Sequence, residues 1–388
     1  MFLFISSGVA IVSGRNDAAD GLRGLAATNV ALTHFVAAFW PTLLRYNYAG
    51  FEKTETVMTG WEKVLSSPPV TLLFNGQFPV LVFFVLSGFL LAAPAKEDRY
   101  DIIRARAIGR YFRLNIPIAA ACLFSWILLE SGLYFHVEAA AISSSLWLGD
   151  FFSQPVSFGE LLKVAEYRGI LGDGRLIPPL WTLKMEFLGS LLLLAALCLS
   201  PPGKAYAGLI LAALGILMSH SDDQVYYLAF LAGAGLNWLQ PTGRVAVACV
   251  VAGLFFGAFQ IAGPTYSWLP EFKDGKTIYN CIGAVLLVAG ACTGSKAPYL
   301  LANPVSLFLG RISFSLYLFH FPILLSAACF VIYSLGIGVV GLLCALTVYL
   351  GLAIPIAAIA TKVIDAPAVR FGHRFAFEIF KRSRVERI

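Results

Sequence analysis

Charge is what this 388-residue sequence has least of. Asp, Glu, Lys and Arg make up 13% of it, against about 25% in an ordinary soluble domain. The polar stretches, around 42–70, 153–178 and 363–388, are each too short to fold as a soluble domain. The seven cysteines form no CxxC pair and no Cys/His cluster, which argues against a structural metal or a disulfide framework and leaves them as small packing residues. The opening segment "MFLFISSGVAIVSG" lacks a basic start before its apolar run, so residues 1–15 read as a short lead-in rather than a cleaved signal peptide. "RGILGDGRL" is glycine-rich but has no Lys-Ser/Thr pair, so it reads as a plain loop and not a phosphate-binding P-loop. Neither an internal repeat nor a pair of broken apolar segments in matching halves is found. That weighs against a multi-pass transporter or export component for a polar or glycolipid substrate, the rival class for such a chain.

What remains is apolar. Hydrophobic residues make up 59% and mean hydropathy is +0.78. The expectation is an all-α polytopic membrane protein, one domain over 1–388, with about ten spanning helices in a bundle. They are expected near 22–41, 72–94, 111–130, 179–199, 205–219, 225–240, 244–263, 278–294, 312–334 and 337–362, with a basic cytoplasmic tail over 363–388. The stretch 134–152 is apolar but broken and suits an interfacial or re-entrant position. With the N-terminus in the cytoplasm, the inner segments hold 19 Lys and Arg and the outer loops 8. That asymmetry supports both termini inside, and it accounts for most of the net charge of +6 without invoking nucleic acid.

Against this background the ionisable residues inside apolar stretches stand out. Arg23 and His34 lie eleven residues apart, roughly 20° past three full turns, so both point to one helix face with a rise of about 16 Å between them. An imidazole near mid-membrane is a functional-site candidate. In "RARAIGRYFRLNIP", Arg110 and Arg113 are neighbours on a helical face; a guanidinium pair there suits a multiply phosphorylated ligand, although taken alone it reads first as a positive-inside anchor on lipid headgroups. In "FFVLSGF", Ser87 and Gly88 read first as small residues for close helix contact. "PPLWTLKMEFLG" places Glu186 about two turns into the membrane with Thr182 on its face, while Lys184 points elsewhere. In "GRISFSLYLFHFP", Ser313, Tyr317 and His320 form one polar stripe that could bond to neighbouring helices or line the same cavity as His34.

Taken together and in order, these segments resemble the motifs of acyltransferase family 3, membrane enzymes that O-acylate surface sugars and other acceptors. Arg23, ten residues and His34 are similar to the family's opening motif, with the His taken as catalytic. "FFVLSGF" is similar to its second-helix motif, and "RYFR", Arg110 to Arg113, to its Arg-x-x-Arg motif associated with the acyl donor. "LWTLKMEF" resembles its Trp-Ser-Leu-x-x-Glu segment and "ISFSLYLFHFP" its Ser-Tyr-x-x-Tyr-Leu-x-His-x-Pro segment. Thr182 departs by replacing Ser, Lys184 stands where the family is small or apolar, and Asp365 stands where Glu is common, so no role is carried onto Asp365. The SGNH domain that some members append is not expected here.

The resemblance implies an O-acyltransferase of the cell (inner) membrane. An acyl-CoA, most often acetyl-CoA, would serve as donor substrate, with no permanently bound cofactor. The acceptor would be a hydroxyl of a carbohydrate or lipid-linked sugar, as in surface-polysaccharide modification. Arg23, Arg110, Arg113 and Ser87 would hold the donor. His34, Glu186, Tyr317 and His320 would serve the reaction.

Overall fold

The computed structural model describes residues 16–385 apart from 49, 52–56, 153–154, 202 and 295–297, with side chains as far as Ile379. The lead-in 1–15 lies outside the described residues. Among them the regular structure is helical throughout, with no strand. Eleven helices carry the fold: α1 Asp17–Phe39, α2 Gln77–Ala92, α3 Tyr100–Glu130, α4 Trp181–Leu199, α5 Ala205–Met218, α6 Gln224–Gly235, α7 Gly243–Gly257, α8 Gly275–Cys292, α9 Pro304–Ile323, α10 Val339–Ala360 and α11 Ala366–Val385.

Each of the ten expected stretches overlaps one of these helices, with boundaries shifted by up to eleven residues. Six segments among the described residues are long and apolar enough to cross a membrane: Gln77–Glu97, Tyr100–Glu130, Pro178–Leu199, Gly275–Cys292, Pro304–Leu335 and Val339–Ile379. The helices α5 and α7, of 14 and 15 residues, fall short of the roughly 20 residues a span needs. α1 is also not among the six; Asp17, Asp20 and Arg23 occupy its first turns.

Two boundaries differ from expectation. α3 begins at Tyr100, so Arg104, Arg106 and Arg110 ride on the helix with Arg113 rather than on a loop before it. The tail expected over 363–388 is helical through Val385: a π turn over Thr361–Asp365 joins α10 to α11 without a break. Wide π turns recur where a helix carries functional side chains, and this one places Asp365.

The register of the bundle centre is set by two glycines. α1 starts cleanly because the Asn16 side chain accepts from the Ala19 amide at 2.9 Å, an N-cap that satisfies one of the free donors of the first turn. One turn further in, a Cβ on Gly24 would lie 2.4 Å from the Gly310 backbone nitrogen, and one on Gly310 would lie 2.1 Å from the Asp20 carbonyl oxygen. Only hydrogen at these positions lets α1 and α9 meet backbone to backbone. From that crossing both helices run on in the same direction. His34 is ten residues beyond Gly24 and His320 ten beyond Gly310, so the same rise, about 15 Å, brings the two histidines level.

The broken stretch 134–152 forms two short helices, His136–Ser143 and Leu146–Gly149. They fold against the far end of α1: Ser145 donates to the Ala37 carbonyl at 2.7 Å. This packing delivers Trp147 to His34.

Candidate active site

Two cavities meet inside the bundle, one at the end where α1 begins and one where it finishes. The first, of about 490 Å³, is lined by Arg23, Arg106, Arg110 and Arg113 among others. The second, of about 270 Å³, is lined by His34 and a set of aromatic rings. Val80, Thr182 and Tyr317 line both. The Tyr317 hydroxyl and Thr182 Oγ1 lie 2.5 Å apart, and the Tyr317 hydroxyl donates to the Pro179 carbonyl at 3.0 Å. This pair is the partition between the two spaces.

In the arginine cavity the groups are strongly paired. Arg110 is bonded through its NH2 group to the Glu186 carboxylate and donates from Nε to Ser190 Oγ at 2.8 Å. Ser87 donates to the same Glu186 oxygen at 2.8 Å. Glu186 therefore sits among the arginines, where it neutralises one of them, and not beside His34. Ser87 reaches the cavity through this carboxylate, while the neighbouring Gly88 packs on the backbone of α6: a Cβ there would lie 2.0 Å from the Phe230 carbonyl oxygen. Arg106 donates to the carbonyls of Leu90 and Leu91 at 2.7 and 3.2 Å, contacts that hold the guanidinium without cancelling its charge. Lys184 leaves both cavities and pairs with Asp223 at 3.2 Å.

In the second cavity the central feature is a chain of imidazoles. His320 Nδ1 lies 3.0 Å from the Leu316 carbonyl oxygen, and His320 Nε2 lies 2.9 Å from His34 Nδ1. The ring centroids are 5.1 Å apart with planes 7° from parallel. That separation is close to the largest a 2.9 Å contact allows, so the N···N line lies in both ring planes, as a hydrogen bond requires. A carbonyl oxygen only accepts. His320 must therefore carry its proton on Nδ1, which leaves Nε2 as acceptor when the ring is neutral. His34 must then donate from Nδ1, and its unprotonated nitrogen is Nε2, on a ring that lines the cavity. Trp147 lies parallel to the His34 ring at 5.5 Å and 8°, and Phe321 meets it edge-on at 5.5 Å.

Sequence reading expected Arg23, Arg110, Arg113 and Ser87 to hold the donor, and all four line the first cavity; of those it expected to serve the reaction, His34 lines the second cavity, Tyr317 both and Glu186 the first. It also read Tyr317 as part of a polar stripe with Ser313 and His320. The stripe exists, but its members divide: Ser313 faces the arginines, Tyr317 the partition, and His320 is fully buried behind His34. Three participants went unread. Trp147 lay in a segment with no periodic signal, Arg106 looked like one of several topology arginines, and His373 lay in what read as a polar tail. Asp365, to which no role was carried, lines the arginine cavity with His373.

The family model for the acyltransferase domain of acyltransferase family 3 matches residues 16–361, which supply the whole lining of the second cavity and most of that of the first. The chain belongs to this family. Among curated proteins it is similar to the O-acetyltransferase PaAT-1 of Phomopsis amygdali, 24% identical over 366 residues, which cover 79% of this chain and 71% of that protein. It is also similar to the O-acetyl transferase of Shigella phage Sf6, 26% identical over 214 residues, 52% of this chain and 57% of that one. No solved structure matches it significantly. The protein is thus a multi-pass membrane acyltransferase of the O-acetyltransferase-like kind.

Proposed function

We propose that this acyltransferase moves an acetyl group from acetyl-CoA, held in the arginine cavity, to a hydroxyl of a carbohydrate or lipid-linked sugar in the tryptophan cavity. The observation that carries this reading is the imidazole chain, which leaves an unprotonated nitrogen of His34 beside the wall that separates the two spaces. CoA is a polyanion, and Arg23, Arg106 and Arg113 form the cationic floor that suits its phosphates. Ser87 and Glu186 act there by orienting Arg110. The arginine end then faces the cytoplasm, where CoA is found, in agreement with the Lys and Arg asymmetry of the loops. The membrane is the cell inner membrane, and the product is a modified surface polysaccharide.

In the transfer, His34 Nε2 takes the proton of the acceptor hydroxyl. The oxygen attacks the thioester carbonyl carbon, the C–S bond breaks, and the departing CoA thiolate recovers the proton from the imidazolium. His320 and the Leu316 carbonyl fix the tautomer and share the positive charge while it exists. Tyr317 and Thr182 stand where the thioester must pass to reach His34. Their hydroxyls lie on that route.

The test is purified enzyme in nanodiscs with acetyl-labelled CoA, paired with mass spectrometry of cell-surface glycans from cells with and without the gene. Labelled glycan and a matching loss of acetyl groups in the deletion strain are expected. Unchanged glycans together with no consumption of acetyl-CoA would overturn the reading.

A further inference from the structure

The last helix has no role in the transfer proposed above, and the family match stops at residue 361, before it begins. Yet α11 is built into the arginine cavity. Its Val369, Gly372 and His373 line that space. The contact that puts them there is close. A Cβ on Gly372 would lie 2.9 Å from the Gly109 carbonyl oxygen, and one on Gly109 would lie 3.1 Å from the Gly372 carbonyl oxygen. α11 therefore crosses α3 at the level of Arg106, Arg110 and Arg113. Beside the crossing, Phe112 is gripped by Phe371 and Phe375 at ring separations of 5.1 and 4.8 Å. A backbone crossing plus an aromatic clamp fixes the rotation of α11, and that rotation turns His373 to the cavity mouth, where it is exposed to solvent. Arg106, held by carbonyls alone in its hydrogen bonds, lines the same space with its charge intact.

We propose that α11 is a working wall of the donor site, and that His373 donates a hydrogen bond to a phosphate of the bound nucleotide beside Arg106 and Arg113. The inference rests on the acyl-CoA reading of the arginine cavity and adds to it a segment outside the family match. A phosphate at this mouth could equally belong to an anionic lipid headgroup. The nucleotide is favoured because the cavity continues inward from His373 past three arginines to the partition at Tyr317, a depth that a lipid headgroup at the membrane surface does not use.

The experiment measures CoA binding by calorimetry to the full chain in nanodiscs of purely zwitterionic lipid, and repeats it in nanodiscs containing an anionic lipid. His373→Ala is expected to weaken CoA about tenfold, the loss of one charge-assisted hydrogen bond, in both lipids. His373→Lys restores a donor and is expected to bind nearly as wild type. Gly372→Leu forces α11 off α3 and is expected to lose at least as much as His373→Ala. Arg370→Ala, on the same helix but away from the cavity, controls for charge and is expected to bind as wild type. Wild-type affinity in both His373→Ala and Gly372→Leu would overturn the role of α11 while leaving the donor reading intact. A loss at His373→Ala seen only with anionic lipid would overturn it in favour of a headgroup. Failure of the wild-type protein to bind CoA in either lipid would instead overturn the donor reading itself.

Discussion

The two cavities share a wall but are held together by different physics. The arginine cavity is electrostatic. Its floor is a buried ion pair, Arg110 with Glu186, surrounded by further guanidinium groups whose charge is left for a ligand. Among the described residues no charged side chain lines the tryptophan cavity; its polar groups are ring nitrogens, hydroxyls and an amide, set among Tyr48, Phe51, Trp147, Trp181 and Tyr226. A space of the first kind selects by charge and tolerates a flexible anion. A space of the second kind selects by shape and by the faces of rings, which suits a neutral acceptor that stacks and hydrogen-bonds. Replacing side chains on one side of the wall should therefore change donor parameters, and on the other side acceptor parameters, with the His34–His320 pair affecting the rate whichever substrate is varied.

The largest effect is expected at His34. His34→Ala removes the base and should lower the rate of acetyl transfer by about 10²–10⁴-fold, with CoA affinity within a factor of two of wild type, because the donor cavity does not include it. Turnover near wild type in purified, correctly inserted protein would end the assignment of the base. His320→Ala should lose nearly as much rate, because His34 then has no partner to fix its tautomer.

Next come the two arginines of the Arg-x-x-Arg pair, which look equivalent in sequence and are not. Arg110→Ala strands the Glu186 carboxylate in a buried site, and breaking a buried pair costs about 3–5 kcal/mol. It should appear mainly as lower thermal stability, and the double replacement Arg110→Ala with Glu186→Gln should recover part of it. Arg113→Ala should leave the melting temperature nearly unchanged and weaken CoA about tenfold. Equal effects of the two single substitutions on both readouts would contradict the division of roles.

These contrasts also show what could be read from the sequence. An apolar chain in which ionisable residues recur at helical spacing is enough to announce a polytopic bundle, and eleven residues between Arg23 and His34 is enough to put them on one face. Spacing along one helix could not show that His34 meets His320. That contact depends on Gly24 touching Gly310 across the chain, a long-range register that no local pattern encodes. Nor could it separate Glu186 from His34, since both were simply acidic or basic groups at similar depth. The tail misled for a different reason: with its many charges α11 looks polar in a hydropathy profile, but its apolar residues recur at helical spacing and clasp Phe112.

Trp147 gives a smaller effect and probes the aromatic side. Trp147→Ala removes a ring lying parallel to His34 and opens the acceptor space. A rise of about fivefold in the KM for acceptor is expected from the loss of one ring contact of about 1 kcal/mol, with the KM for acetyl-CoA unchanged. Trp147→Phe should recover most of it. A change in the donor KM instead would mean that the wall at Tyr317 does not separate the two substrates.

The smallest expected effect lies at the rim, in the loop that carries Tyr48 and Phe51 over the acceptor space. Glu62 ties this loop to the end of α1, accepting from Trp40 Nε1 at 3.0 Å and Thr42 Oγ1 at 3.1 Å. It also closes a capping box with Thr59. Partial burial alone would raise its pKa, but the hydrogen bonds from Trp40, Thr59 and Thr42 win and hold the carboxyl down at about 2, against an ordinary 4.5. A carboxylate depressed in the folded state stabilises it fully above about pH 4.5, and that contribution fades as the pH falls from there towards 2. Solvent access at this rim reduces the contribution to about 1 kcal/mol. Glu62→Gln should therefore melt a few degrees below wild type at pH 7, and the difference should shrink between pH 4.5 and 3 as the carboxylate of the unfolded wild-type chain takes up protons. A difference that stays constant over that range would mean that the amide geometry, and not the charge, is what the loop has lost.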